Sequence, residues 1–352
     1  MSNFEKNHTT SILEDPEVFL HDLEVQNDEK EVSPIPVVPQ LGVALGLLVF
    51  VFGVTYLGAS SALTKEKTID VKVSTIPSVQ EKAMARKVNA FADTSLEARS
   101  AFVWDVSAQR ILFNKNGDDV RPLASITKLM TALVTYELLD PSDRVSITKN
   151  AIRVEGDSGL KEGESFTVEN LVDLTLISSS NDGAAALGAR AGQTIDAHED
   201  PNAIFVHAMN VKAKELGMSK TRFENTSGLD VSATEAGAYG SARDIAMLME
   251  YVVTHITDAV ALTTLDLTTV RNVNGESHTT KNTNTYTGDI DGLIASKTGY
   301  TSLSGGNLVV AVNVGLNHPV VVVVLGSSQE GRFKDTLDLI ERARVHVSNQ
   351  AE

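Results

Sequence analysis

The chain has 352 residues, 42% of them hydrophobic and none of them cysteine, with a formal net charge of -16. Such a length and apolar content suffice for one large domain or two small ones, while the missing cysteines exclude disulfides and thiol catalysis. The acidity argues against nucleic acid or an anionic membrane surface as the main partner, and the scattered histidines form no HExxH or other close pair, so no metal and no cofactor are expected.

Residues 1–36 carry nine acidic residues against two lysines, a composition that predicts a disordered tail. Residues 37–63 follow as a predicted transmembrane anchor: Leu41 to Leu63 is 23 residues without a charge, long enough to span a bilayer. A 40-residue acidic leader is unlike the short basic start of a cleaved signal peptide, so the anchor is read as uncleaved. Residues 64–94 read as a polar linker with a short helix around Glu81 to Phe91. The main domain is placed at 95–345, with a tail at 346–352.

Within that domain Ser100–Asp105 and Arg110–Phe113 predict a β-hairpin, with Asn116-Gly117 at the next turn. Arg121 to Asp140, RPLASITKLMTALVTYELLD, predicts one buried helix, since Ile126, Leu129, Met130, Leu133, Val134 and Leu138 recur at helical spacing. Ser125 and Lys128 then sit three apart on one face, a nucleophile beside a possible base. The same letters, SITK, recur at Ser146 to Lys149, but there Val145 and Ile147 alternate with polar residues. A strand points i and i+3 to opposite faces, so the second copy reads as structural.

A second helix is predicted from Phe166 to Ile177, running into the polar cluster Ser178-Ser179-Ser180-Asn181-Asp182, a loop and helix cap before an alanine-rich third helix. A further helix ends near Lys214-Glu215, Phe223 to Asp230 forms a turn-rich loop, and Ser241 to Val253 is amphipathic. Leu293–Ser296, Leu308–Val314 and Val320–Leu325 are apolar runs that read as adjacent strands, with Pro319 where a missing backbone donor is tolerated. Lys334 to Val345 closes the domain as a helix. Strands, then helices, then strands and a helix predict an α+β fold: an antiparallel sheet built from both ends of the domain and flanked by helices, with a mostly helical lobe inserted and a cleft between.

Three short elements stand in order: Ser125-Ile126-Thr127-Lys128, Ser179-Ser180-Asn181 and Lys297-Thr298-Gly299. With the flanking text PLASITKLMTALV, MNVKAKELGMSKTRFEN, GLD, GSARDIAMLM and SKTGYTSLSGG, residues 95 to 345 resemble the serine D-alanyl-D-alanine carboxypeptidases, the low-molecular-weight penicillin-binding proteins. The resemblance implies a DD-peptidase/β-lactamase-like fold with Ser125 as nucleophile, Lys128 as acylation base and Ser179 passing a proton toward the leaving D-alanine. It also implies that Asn181 holds the substrate amide, that Lys297 and Thr298 bind the terminal carboxylate while Gly299 leaves room for substrate along the strand edge, that the backbone N–H groups of Ser125 and Tyr300 form an oxyanion hole, and that Arg332 adds to carboxylate recognition. Ser227 stands where the family often has histidine.

The implied partners are a peptidoglycan stem peptide and β-lactam antibiotics, with the membrane reached through the N-terminal helix and no nucleic acid. That chemistry requires an extracytoplasmic domain on a single-pass cell-membrane anchor. Lys65, Lys67 and Lys72 after the span, against Lys30 before it, favour the opposite orientation by the positive-inside tendency. A DD-endopeptidase would use the same residues. A class A-like β-lactamase would need a Glu-x-x-Leu-Asn loop, which is missing, and a non-catalytic cell-wall binding protein would not need three intact motifs.

Overall fold

The computed structural model describes residues 89–156 and 158–350. The expected acidic tail, the transmembrane span and all of the linker before residue 89 lie outside the described residues. Among those described, no single helix is long and apolar enough to cross a membrane.

In chain order the structure places β1 (Ser100–Asp105), β2 (Arg110–Lys115) and β3 (Arg121–Pro122), then a 3-10 turn (Ala124–Thr127) leading into α1 (Lys128–Leu138). β4 (Arg144–Ser146) and β5 (Ser165–Thr167) precede α2 (Val168–Ile177), α3 (Asn181–Ile195) and α4 (Pro201–Glu215). β6 (Arg222–Phe223) and β7 (Ala238–Gly240) lead to α5 (Ala242–His255) and α6 (Thr257–Ala261), followed by the hairpin of β8 (Leu267–Arg271) and β9 (Ser277–Lys281). Then come β10 (Leu293–Thr301), β11 (Gly305–Asn313), β12 (Pro319–Ser327) and α7 (Gly331–Ser348).

The main sheet has the antiparallel order β10-β11-β12-β1-β2, so its first and last strands in sequence meet at the β12–β1 pair. β11 and β12 are apolar at nearly every position because both faces of the sheet are covered. Their residues alternate between two cores. Val309, Ala311, Val321 and Val323 join α5 and the helical lobe, whereas Leu308, Val310, Val320 and Val322 join Phe333, Leu339 and Ile340 of α7.

α1 is the central helix of the lobe, with Leu129 to Thr135 wholly buried. Its neighbours start where polar side chains cap them: Thr167 accepts from the Asn170 amide, Ser180 from Gly183, Asp200 from Asn202 and Ser241 from Asp244. The expected α+β arrangement with an inserted helical lobe is therefore the observed one.

Several boundaries differ. The single helix expected over Arg121–Asp140 is a short strand, a 3-10 turn and only then α1, because Ala124 takes a left-handed φ of 48°. Apolar periodicity continues across that break and conceals it. Residues 89–94, expected as linker, belong to the domain: Phe91 is buried and stacks on Phe113 at 5.4 Å. The expected tail at 346–352 begins late, since α7 stays helical to Ser348 and packs His346 near Phe91. Lys297-Thr298-Gly299 lies inside β10 rather than at its end.

Candidate active site

The nucleophile turn is held from outside. The buried Asn307 side chain of β11 donates to the carbonyls of Pro122 and Leu123 at 3.0 Å each and accepts from the Gly326 amide at 2.8 Å. The Thr127 hydroxyl closes the turn onto the Ala124 carbonyl at 2.7 Å. Gly299 of β10 packs flat behind it: a Cβ there would lie 2.8 Å from the Leu123 oxygen and 3.2 Å from the Ser125 nitrogen. Glycine is thus required by close approach, not by an unusual φ.

Lys128 is fully buried at the start of α1. Its Nζ donates to Ser125 Oγ at 2.8 Å, to Asn181 Oδ1 at 2.7 Å and to the Ser227 carbonyl at 2.8 Å. The Asn181 amide is fixed in that orientation because its Nδ2 donates to the Glu155 carbonyl at 2.7 Å. Burial, helped by the charge of Lys297, pushes the Lys128 pKa well below the ordinary lysine range. A neutral amine has two N–H bonds, and two of its three partners can only accept. When the amine is neutral those bonds go to Asn181 and Ser227, and the lone pair takes the place of the bond donated to Ser125 Oγ and faces that hydroxyl. The arrangement is a serine with a base aimed at its proton.

Ser179 takes a left-handed φ of 62° just before the Ser180 cap. That strained turn brings its hydroxyl to Lys297 Nζ, which donates to it at 2.9 Å and to the Thr298 carbonyl at 2.9 Å. Lys297 is only 1% exposed, and burial followed by the nearby Arg332 charge brings its pKa down to about 7. Arg332, on the first turn of α7, is 7% exposed, donates from Nη1 to the Gly299 carbonyl at 2.9 Å and has no partner for its buried Nε among the described residues. Burial lowers its pKa.

These groups border a cleft of about 260 Å³ lined by Ser125, Ser179, Asn181, Thr298, Gly299, Tyr300 and Arg332. Tyr300 is 52% exposed at its rim. Lys128 and Lys297 are not in the lining; they stand behind the two serines they touch. All nine residues singled out from sequence therefore meet in one place. Sequence reading passed over Leu229, Thr283 and Thr301, which line the same cleft, and the Glu155 carbonyl. Asp230, in the GLD text, accepts from the Thr301 hydroxyl at 3.0 Å and so ties that loop to the end of β10. The only advance signal for Leu229 was its place in that text, and none pointed to Thr283.

Comparison with known proteins agrees with the geometry. Residues 86–329 match the family described as D-alanyl-D-alanine carboxypeptidase. D-alanyl-D-alanine carboxypeptidase DacF of Bacillus subtilis is 32% identical over 238 residues, 66% of this chain and 58% of that protein, so the match spans little more than half of the relative's length. A D-alanyl-D-alanine endopeptidase of Escherichia coli is 31% identical over 64% of this chain and 70% of its own. Among solved structures, penicillin-binding protein D2 of Listeria monocytogenes in its ampicillin-bound form is 29% identical with a TM-score of 0.60, covering 71% of this chain and 98% of that one. With the family match spanning more than half of its residues, the chain belongs to the D-alanyl-D-alanine carboxypeptidase family.

Proposed function

We propose that this protein is a serine DD-carboxypeptidase that removes the terminal D-alanine from peptidoglycan stem peptides through an acyl-enzyme on Ser125. The observation that carries the reading is the buried Lys128 amine, with both obligate acceptors already served and its remaining valence on Ser125 Oγ at 2.8 Å. Lys128 takes the serine proton as Oγ attacks the carbonyl of the penultimate D-alanine. The oxyanion meets the backbone N–H groups of Ser125 and Tyr300, where one well-placed donor is typically worth about 3 kcal/mol. Ser179, backed by Lys297, passes a proton to the departing D-alanine nitrogen, and water then releases the shortened peptide.

Thr298 and Arg332 line the cleft and receive the terminal carboxylate, with the Lys297 charge behind them. Asn181 holds the substrate amide, and the outer edge of β10 pairs with the extended peptide. β-Lactams acylate the same serine. Residues 37–63 anchor the protein in the cell membrane with the domain outside. Cleavage of cross-links between stem peptides needs the same machinery, and the Escherichia coli relative carries an endopeptidase name.

The test is the intact mass of the full-length chain over time with benzylpenicillin, beside Ser125→Ala. A long-lived adduct of one penicillin, lost in the variant, is expected. An adduct that vanishes as penicillin is consumed would mean a β-lactamase, and no adduct in either protein would remove the catalytic reading. Incubation with purified muropeptides separates loss of D-alanine from monomers from conversion of dimers into monomers.

A further inference from the structure

Thr283 lies outside all three motifs, yet its hydroxyl is 2.6 Å from that of Thr298 and it lines the cleft. Its position is built. Asn282 and Asn284, both buried, flank it. Asn282 Nδ2 donates to the Thr263 and Leu265 carbonyls at 2.8 and 3.0 Å, and Asn284 Nδ2 donates to Ser296 Oγ at 3.1 Å. The Thr283 amide donates to the Ile177 carbonyl at 3.1 Å, just ahead of the Ser179 turn. Two asparagines and one backbone bond thus present a single hydroxyl to the cleft.

A pair of hydroxyls this close shares one hydrogen, and which oxygen donates decides what the pair can bind. A carboxylate only accepts, so Thr298 must turn its own hydrogen toward it, and that is possible only if Thr283 donates to Thr298. The alternative acceptor for Thr283, the Ile177 carbonyl, is 3.5 Å from its hydroxyl and is already served by the Thr283 amide. Resting on the carboxypeptidase reading above, we infer that Thr283 is a positioning residue for substrate selection: its hydroxyl donates to Thr298 Oγ1 and so commits the Thr298 hydrogen to the terminal carboxylate of the peptide.

The test compares a peptide ending in D-Ala-D-Ala with the same peptide as its C-terminal amide, on the full-length protein. The readout is the ratio of the two kcat/KM values, the carboxylate preference. Thr283→Val, which keeps shape and loses the hydroxyl, is expected to lower that preference roughly tenfold, chiefly through KM of the acid, while Thr283→Ser retains it. Because Thr283 acts through Thr298, the double variant Thr283→Val/Thr298→Val should lose no more preference than Thr298→Val alone. Equal losses in the Val and Ser variants, or additive losses in the double variant, would overturn the inference. Wild-type protein that forms no penicillin adduct and hydrolyses neither peptide would instead overturn the carboxypeptidase reading, and the inference with it.

Discussion

Two buried lysines give the site a pH dependence with two opposite limbs. Lys128 is useful as a base only when neutral, so acylation rises with pH through its depressed pKa. Lys297, with a pKa of about 7, loses its charge above neutrality and with it part of the attraction for a carboxylate. kcat/KM for the peptide should therefore be bell-shaped. The alkaline limb should be missing from kcat, because bound carboxylate keeps Lys297 protonated, and Lys297→Arg should remove it from kcat/KM in a variant that still acylates. Stability also depends on pH, but in one direction only and for a separate reason. Between about 7 and the ordinary lysine value near 10.4, the unfolded chain binds more protons than the folded one, so folding strengthens as pH rises across that window and weakens as pH falls through the folded pKa. Thermal unfolding from pH 7 to 9.5 should show this slope, and Lys297→Met should reduce it, leaving the part that Lys128 contributes. At this scale the sequence was informative where chemistry needs side chains at fixed spacing, as for Ser125 and Lys128. It was silent on the Ser227 and Glu155 carbonyls, which are backbone atoms delivered by loops, and on Ala124 and Ser179, whose left-handed backbone no residue type announces.

Among the elements, the 3-10 turn is held by β11 as well as by its own residues. Asn307→Leu would remove a donor from the Pro122 and Leu123 carbonyls, the second of which keeps the Ile126 amide at 3.3 Å, and the acceptor of the Gly326 amide. A cost of about 3 kcal/mol is expected from unmet buried hydrogen bonds, together with slower penicillin acylation, since the turn carrying Ser125 is no longer tied to the sheet. Denaturant midpoints and adduct formation measured on one preparation check both. The long strands were readable because β-branched residues filled both faces of the sheet. The β8–β9 hairpin was not, because LTTVR and SHTTK are mostly exposed and lack an apolar face. Its place in the fold comes from tertiary bonds, among them His278 Nε2 to Glu164 Oε1 at 2.9 Å.

For the whole molecule, closure of the sheet rests on Ser100–Asp105 lying against Val320–Leu325. Asp335 of α7 locks that junction: its carboxylate accepts from the Glu97 and Ala98 amides at 3.1 and 2.8 Å and from the Ser327 hydroxyl at 2.8 Å. Asp335→Ala should cost about 3 kcal/mol by the same reckoning. The acylation rate of the folded protein should change little, a combination that urea denaturation and adduct kinetics would separate from the Asn307 result.

The order of strands in the sheet has a consequence for synthesis. Ser125 and Lys128 leave the ribosome long before Lys297, Gly299 and Asn307, and chains emerge from the amino terminus onward. Until β10 and β11 arrive, the nucleophile turn lacks its tether and Lys128 lacks the neighbouring charge that helps keep its amine neutral. A nascent or prematurely ended chain therefore carries the reactive serine in an unarmed state. The last strands complete a site whose first residues were made long before.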